Sequence, residues 1–145
     1  MTHEEYGKYI KARSPKSPLW KDIILAFIFG GVICCVGQAF LDLYTYFGLS
    51  QDDAGAATSI TMVFLGALLT GLGVYDNIGK YGGAGSLVPI TGFANSVVSP
   101  ALEFKSEGFI TGTAVKIFSI AGPVILFGVS ASVVYGLVLV LFNLA

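Results

Sequence analysis

The fold class predicted by this sequence is an all-α integral membrane protein: three transmembrane helices plus a Gly-rich broken or re-entrant helix, or four transmembrane helices if that stretch crosses outright. Three observations predict it. Hydrophobic residues make up 54% of the 145-residue chain and charged residues only 12%, where a soluble domain carries roughly 25% charged residues. So few charges cannot clothe a globule of this size in a solvated surface. Three apolar stretches, at about 20–46, 54–75 and 117–142, reach the roughly 20 helical residues that a bilayer core demands. Between the last two lies a segment too polar and too interrupted for an ordinary span.

The charges are uneven. Lys8, Lys11, Arg13, Lys16 and Lys21 crowd the start, and only Lys80, Lys105 and Lys116 follow. Residues 1–18 read as a basic tail, with 4–11 either a short interfacial helix or a disordered segment, and Ser14-Pro15-Lys16-Ser17-Pro18 a stiff linker. Residues 19–145 read as a single helical membrane domain. Basic flanks stay cytoplasmic, so the tail is expected there. A secretory signal has an apolar region of roughly 7–15 residues and a small-residue cleavage site. The stretch 23–41 is longer and lacks such a site, so it reads as a retained signal-anchor helix.

The first span, 20–46, is bounded by Trp20 and by Tyr44 and Tyr46, as aromatic belts at the two interfaces would be. Gln38 lies well inside it, and a buried amide there is expected to bond to another helix. Cys34 and Cys35 are neighbours in the same run; the reading is small, polarizable packing residues. Asp42, Asp52 and Asp53 mark a short acidic loop on the far side. The second span, 54–75, ends at Asp76, expected at the interface.

Residues 76–108 are unusual. Gly79, Gly82, Gly83 and Gly85 fall within seven residues, a density that propagates helix poorly. Pro89 then suits the first turn of a new helix reaching about Lys105, with a kink at Pro100. Irregular backbone at membrane depth survives only when buried in protein or lining water. A re-entrant or discontinuous helix over 82–105 is the first reading, a plain fourth crossing the second. If the helix re-enters, the C-terminus lies on the far side. In the last span, 117–142, Lys116 sits near the interface, Pro123 bends the helix, and Gly128, Ser132 and Gly136 form a small ridge of the kind that packs helices together.

Enzyme chemistry has no candidate set. His3 is the sole histidine, so no nucleophile has a histidine base beside it. No His, Cys and carboxylate cluster has metal-ligand spacing, and no cofactor or nucleic-acid partner is expected. Transport chemistry has better candidates. Thr91, Asn95, Ser99 and Glu103 recur four apart and so share a helix face, suited to a wetted pathway or to polar contacts between helices. Residues from Ser86 to Thr91 would present unpaired N–H groups and the positive end of a helix dipole, which attract anions. Lys80 adds charge nearby, and Gly83 and Gly85 supply the interruption. The pathway candidates are therefore Lys80, Gly83, Gly85, Ser86, Thr91, Asn95, Ser99 and Glu103. Three spans are too few to enclose a pore, so an oligomer is expected.

Several stretches resemble the stage V sporulation AC family. They are Gly30-Gly31-Val32-Ile33-Cys34 followed by Gly37-Gln38; LLTGLGVYDNIG at 68–79; and above all GGAGSLVPITGFANS at 82–96, continued by ALEFKSEG at 101–108. A sister AE family shares a shorter version of the central motif; the N-terminal tail and Lys105-Ser106-Glu107-Gly108 favour the AC type. The resemblance implies a channel subunit in the inner membrane of the spore or forespore. It would move dipicolinic acid, with calcium, into the forespore and out of the germinating spore, together with other stage V sporulation A proteins and under membrane tension. A scaffold subunit of the same complex, or half of a secondary transporter, are the alternatives.

Overall fold

The computed structural model describes residues 2–13 and 18–142. All its regular elements are helical. In chain order they are α1 (His3–Arg13), α2 (Leu19–Tyr46), α3 (Gln51–Gly71), α4 (Tyr75–Gly82), α5 (Ala84–Leu87) and α6 (Ile90–Glu103). A 3-10 turn (Phe104–Glu107), a π turn (Phe109–Ala114) and α7 (Val115–Leu141) complete the chain. Of the two readings of residues 4–11, the structure has the helix, as α1. The expected linker lies, but for Pro18, outside the described residues.

Three helices among the described residues are long and apolar enough to cross a membrane: Leu19–Tyr46, Gln51–Gly71 and Phe109–Leu141. At 1.5 Å per residue, α3 alone is about 31 Å long, close to the thickness of a bilayer core of roughly 30 Å. α2 and α3 each end on the same device. The N–H of Gly48 bonds Thr45 O and that of Leu49 bonds Tyr44 O; Gly73 and Val74 repeat this on Thr70 and Leu69. Both glycines have positive φ, the left-handed closing residue that satisfies the last carbonyls of a helix. Asp52 and Asp53 do not lie in a loop but in the first turn of α3. There Ser50 Oγ accepts from the Asp53 N–H at 3.2 Å, and the carboxylates complement the helix dipole.

The Gly-rich segment is more helical than its composition predicts. Gly79 and Gly82 lie inside α4, and Gly85 inside the single turn α5. Packing explains the difference, because tertiary contact overrides propensity. A Cβ on Gly82 would press on the Phe29 side chain at 3.0 Å, and one on Gly85 would collide with the backbone of Ala26. The absent side chains let α4 and α5 lie directly on α2. The helical elements are separated at Gly83, with φ 49° and ψ −127°, and again at Val88–Pro89. Pro89 stands as the N-cap of α6, so that helix begins at Ile90, one residue after the proline expected in its first turn.

α6 starts beside Gly66, where a Cβ would meet Thr91 O at 2.8 Å and Ala94 Cβ at 3.1 Å. Its contact with α3 is the most extensive between any two helices of the fold. Gly66 is close to the C-terminal end of α3, so such contact requires α6 to run back along α3, where Ala54 and Met62 are also buried. The α6 part of the interrupted stretch therefore lies along α3. α7 touches little beyond α6 and the π turn, and none of its residues is buried. Among the described residues, a Cβ at Gly128 or Gly136 on the small-residue ridge would meet nothing within 4 Å.

Candidate functional site

The buried polar groups of this apolar bundle gather at the break. Tyr75, at the start of α4, is 2% exposed and Ser86 fully buried. Tyr75 Oη lies 2.7 Å from Ser86 O and 2.9 Å from Thr91 Oγ1. A phenol has one proton and a carbonyl can only accept. Tyr75 therefore donates to Ser86 O and accepts from the Thr91 hydroxyl. Ser86 Oγ turns back to Gly83 O at 2.9 Å. One side chain thus ties α4, the end of α5 and the first turn of α6 together across the interruption. A buried tyrosine needs a partner for its hydroxyl, but the burial of Tyr75 has no signal in the sequence. Reading it as the end of a span missed it.

A second polar contact lies one turn further along α6. Thr70 Oγ1 is 2.7 Å from Gly66 O and 2.9 Å from the Asn95 side-chain amide. The atom of Asn95 that faces Thr70 is Oδ1, so the single hydroxyl proton of Thr70 has two acceptors, the Gly66 carbonyl and the Asn95 amide oxygen. Thr70 and Gly66 are the other residues that sequence reasoning passed over.

The row Thr91, Asn95, Ser99 and Glu103 shares less than one face. A helix has 3.6 residues per turn, so each step of four rotates by about 40°. Thr91 is buried, Asn95 and Ser99 are half-buried, and Glu103 is exposed. Thr91 and Asn95 are engaged by Tyr75 and Thr70; Ser99 and Glu103 make no side-chain hydrogen bond among the described residues. Nor does the start of the stretch present an open array of N–H groups. Those of Ser86, Leu87 and Val88 bond Gly83 O and Ala84 O, and those of Gly92 and Phe93 bond Pro89 O. The carbonyls of Ser86 and Leu87 lie over Gly92, where a Cβ would strike them. At the N-terminus of α6, Thr91 and Gly92 are buried under these carbonyls, while Val88 and Ile90 are exposed.

The remaining candidates lie apart. Gly83 is exposed, and Gly85 faces Ala26 and Gly30 on α2. Lys80 is exposed, in a groove shared with Asp22, Ala26 and Tyr81 at the start of α2. Gln38 does not reach another helix. Its Nε2 donates to Asp42 Oδ1 at 2.8 Å, one turn along α2, and both residues are exposed. A wholly apolar groove of about 140 Å³, lined by Val32, Ile33, Met62, Leu65 and Tyr75 among others, opens between α2 and α3 below the latch.

Against this geometry, residues 22–138 match the SpoVAC/SpoVAEB sporulation membrane protein family. The chain belongs to that family. It is also 46% identical over 136 residues to stage V sporulation protein AC of Bacillus subtilis (strain 168), covering 93% of this chain and 91% of that one. No solved structure matches. The family span takes in α2 to most of α7, so the Tyr75 latch and the polar contacts of α6 lie inside the matched region. The chain is a membrane protein of the sporulation machinery.

Proposed function

We propose that this chain is a non-enzymatic channel subunit that moves dipicolinic acid, with calcium, across the inner membrane of the spore or forespore, alongside other stage V sporulation A proteins. The family supports the sporulation setting. The observation that carries the transport reading is the interrupted α4–α5–α6 path, which packs on α2 and then on α3 with its buried polar groups drawn together at one point. Irregular backbone in a bilayer is kept where it is sheltered or where it lines a cavity, and discontinuous helices in transporters hold charged solutes at such breaks.

On this reading the described conformation is closed. Release of Tyr75 would let the Ser86 and Leu87 carbonyls move off Gly92 and expose the first turn of α6 to a dianion. Lateral tension favours the wider state, and the close glycine contacts of α5 on α2 would be the sliding surface. As a fourth, discontinuous crossing, the path would return the C-terminus to the side of the basic tail.

Dipicolinate flux into forespores tests the reading. Ser86→Leu or Thr91→Leu should lower flux while protein abundance in the membrane stays unchanged; normal flux in both removes the reading. A scaffold role is the second reading, favoured by the fact that Thr91 and Asn95 are already bonded inside the chain. Purified protein in liposomes separates the two: tension-gated conductance by this chain alone supports the channel. Conductance only after partner subunits are added supports the scaffold.

A further inference from the structure

A groove at the start of α2 holds two opposite charges that do not meet. Leu19, Asp22, Ile23 and Ala26 form one of its walls, and steps of three and four place them on a single face of the helix. Lys80 and Tyr81, from the last turn of α4, form the other wall, and the groove has a volume of about 400 Å³. Asp22 and Lys80 are both exposed, and neither forms a salt bridge within 4.0 Å among the described residues. Trp20, beside the groove, is 82% exposed, at the end of a helix long and apolar enough to cross a membrane. Tryptophan in that position marks the level of the lipid headgroups. From Leu19 to Ala26 the wall then descends about 10 Å along the helix, from headgroup level toward the acyl chains.

We propose that this groove binds a phospholipid whose headgroup carries both charges, phosphatidylethanolamine. Lys80 takes the phosphate and Asp22 the ammonium, while an acyl chain lies along Leu19, Ile23 and Ala26. Charge complementarity selects this occupant. An anion drawn to Lys80 comes to lie near Asp22, and a cation drawn to Asp22 comes to lie near Lys80. A ligand of one sign is therefore attracted by one residue and repelled by the other; a headgroup of both signs is attracted by both. A free zwitterion would leave the apolar wall uncovered, whereas a lipid covers it. A primary ammonium also brings three N–H donors to the carboxylate, which a trimethylammonium lacks. Gly83 lines the same groove, so the bound lipid bridges α2 and α4 where the helical path first separates. This binding is independent of the solute that the chain moves.

Native mass spectrometry of the purified full-length chain tests the assignment. The protein in detergent is titrated with phosphatidylethanolamine, phosphatidylcholine and phosphatidylglycerol of identical acyl chains. The expected result is one phosphatidylethanolamine per chain, held about twofold to fivefold more tightly than either other lipid, the size of one exposed ion pair. Asp22→Asn should lower that affinity by a similar factor and remove the preference over phosphatidylglycerol. Lys80→Gln should lower it as well, and Lys80→Arg should bind as the intact chain does. Equal or weaker binding of phosphatidylethanolamine than of either other lipid by the intact chain would overturn the assignment without recourse to any variant. So would a phosphatidylethanolamine affinity that Asp22→Asn or Lys80→Gln leaves unchanged.

Discussion

Tyr75 and Thr91, sixteen residues apart in the chain, share a hydrogen bond of 2.9 Å in the buried centre of the bundle. The same phenol bonds the Ser86 carbonyl, so removing one oxygen unties both. Tyr75→Phe keeps the ring in place. It leaves a buried carbonyl and hydroxyl unpaired, which costs on the order of 1–3 kcal/mol in water-soluble proteins, with membrane contacts at the lower end. The expected outcome is a lower thermal midpoint in detergent together with easier tension gating in liposomes. An unchanged midpoint and threshold would mean the latch holds nothing.

Gly66 and Gly71 lie on the same helix in opposite circumstances. A Cβ at Gly66 meets the Thr91 backbone at 2.8 Å, while one at Gly71 meets nothing within 4 Å. Gly66→Ala should therefore destabilise by roughly 1–3 kcal/mol through overpacking. Gly71→Ala should be neutral or slightly favourable, since alanine is the better helix former. Thermal unfolding of the two variants side by side checks the contrast.

Thr70 and Asn95 bridge α3 and α6 at 2.9 Å. A double-mutant cycle with Thr70→Val and Asn95→Leu should return a coupling of about 0.6 kcal/mol, the average for interhelical bonds in membranes. A coupling of zero would free Asn95 from its structural role and return it to the solvent-facing row.

Lys116 Nζ stands 3.8 Å from the centre of the Phe104 ring, pinning the start of α7 to the turn after α6. Lys116→Met keeps most of the stem and removes the cation. It should cost about 0.5–2 kcal/mol, read as a lower midpoint, and Phe104→Leu should cost no more once Lys116 is gone.

The three long helices were legible because hydropathy over a bilayer's thickness is a local property of the chain, and α2, α3 and α7 each carry it alone. The break near Gly83–Pro89 was legible for the same reason, since proline and dense glycine act on their own backbone. Gln38 shows the limit: its polarity was visible, but its partner proved to be Asp42 on the same helix. So does the row from Thr91 to Glu103, whose regular spacing hid a drift around the helix.

By itself, then, the sequence determined that this is a helical membrane protein of the sporulation family with three helices long and apolar enough to cross a membrane. Only the tertiary structure decided that Gly82 and Gly85 sit inside helical turns, that Gly66 receives Thr91, and that Tyr75 closes the break. Those outcomes depend on the distance between residues far apart in the chain. A glycine is a helix breaker or a packing surface according to what lies against it, and a tyrosine is an interfacial anchor or a buried latch according to which carbonyl its hydroxyl meets.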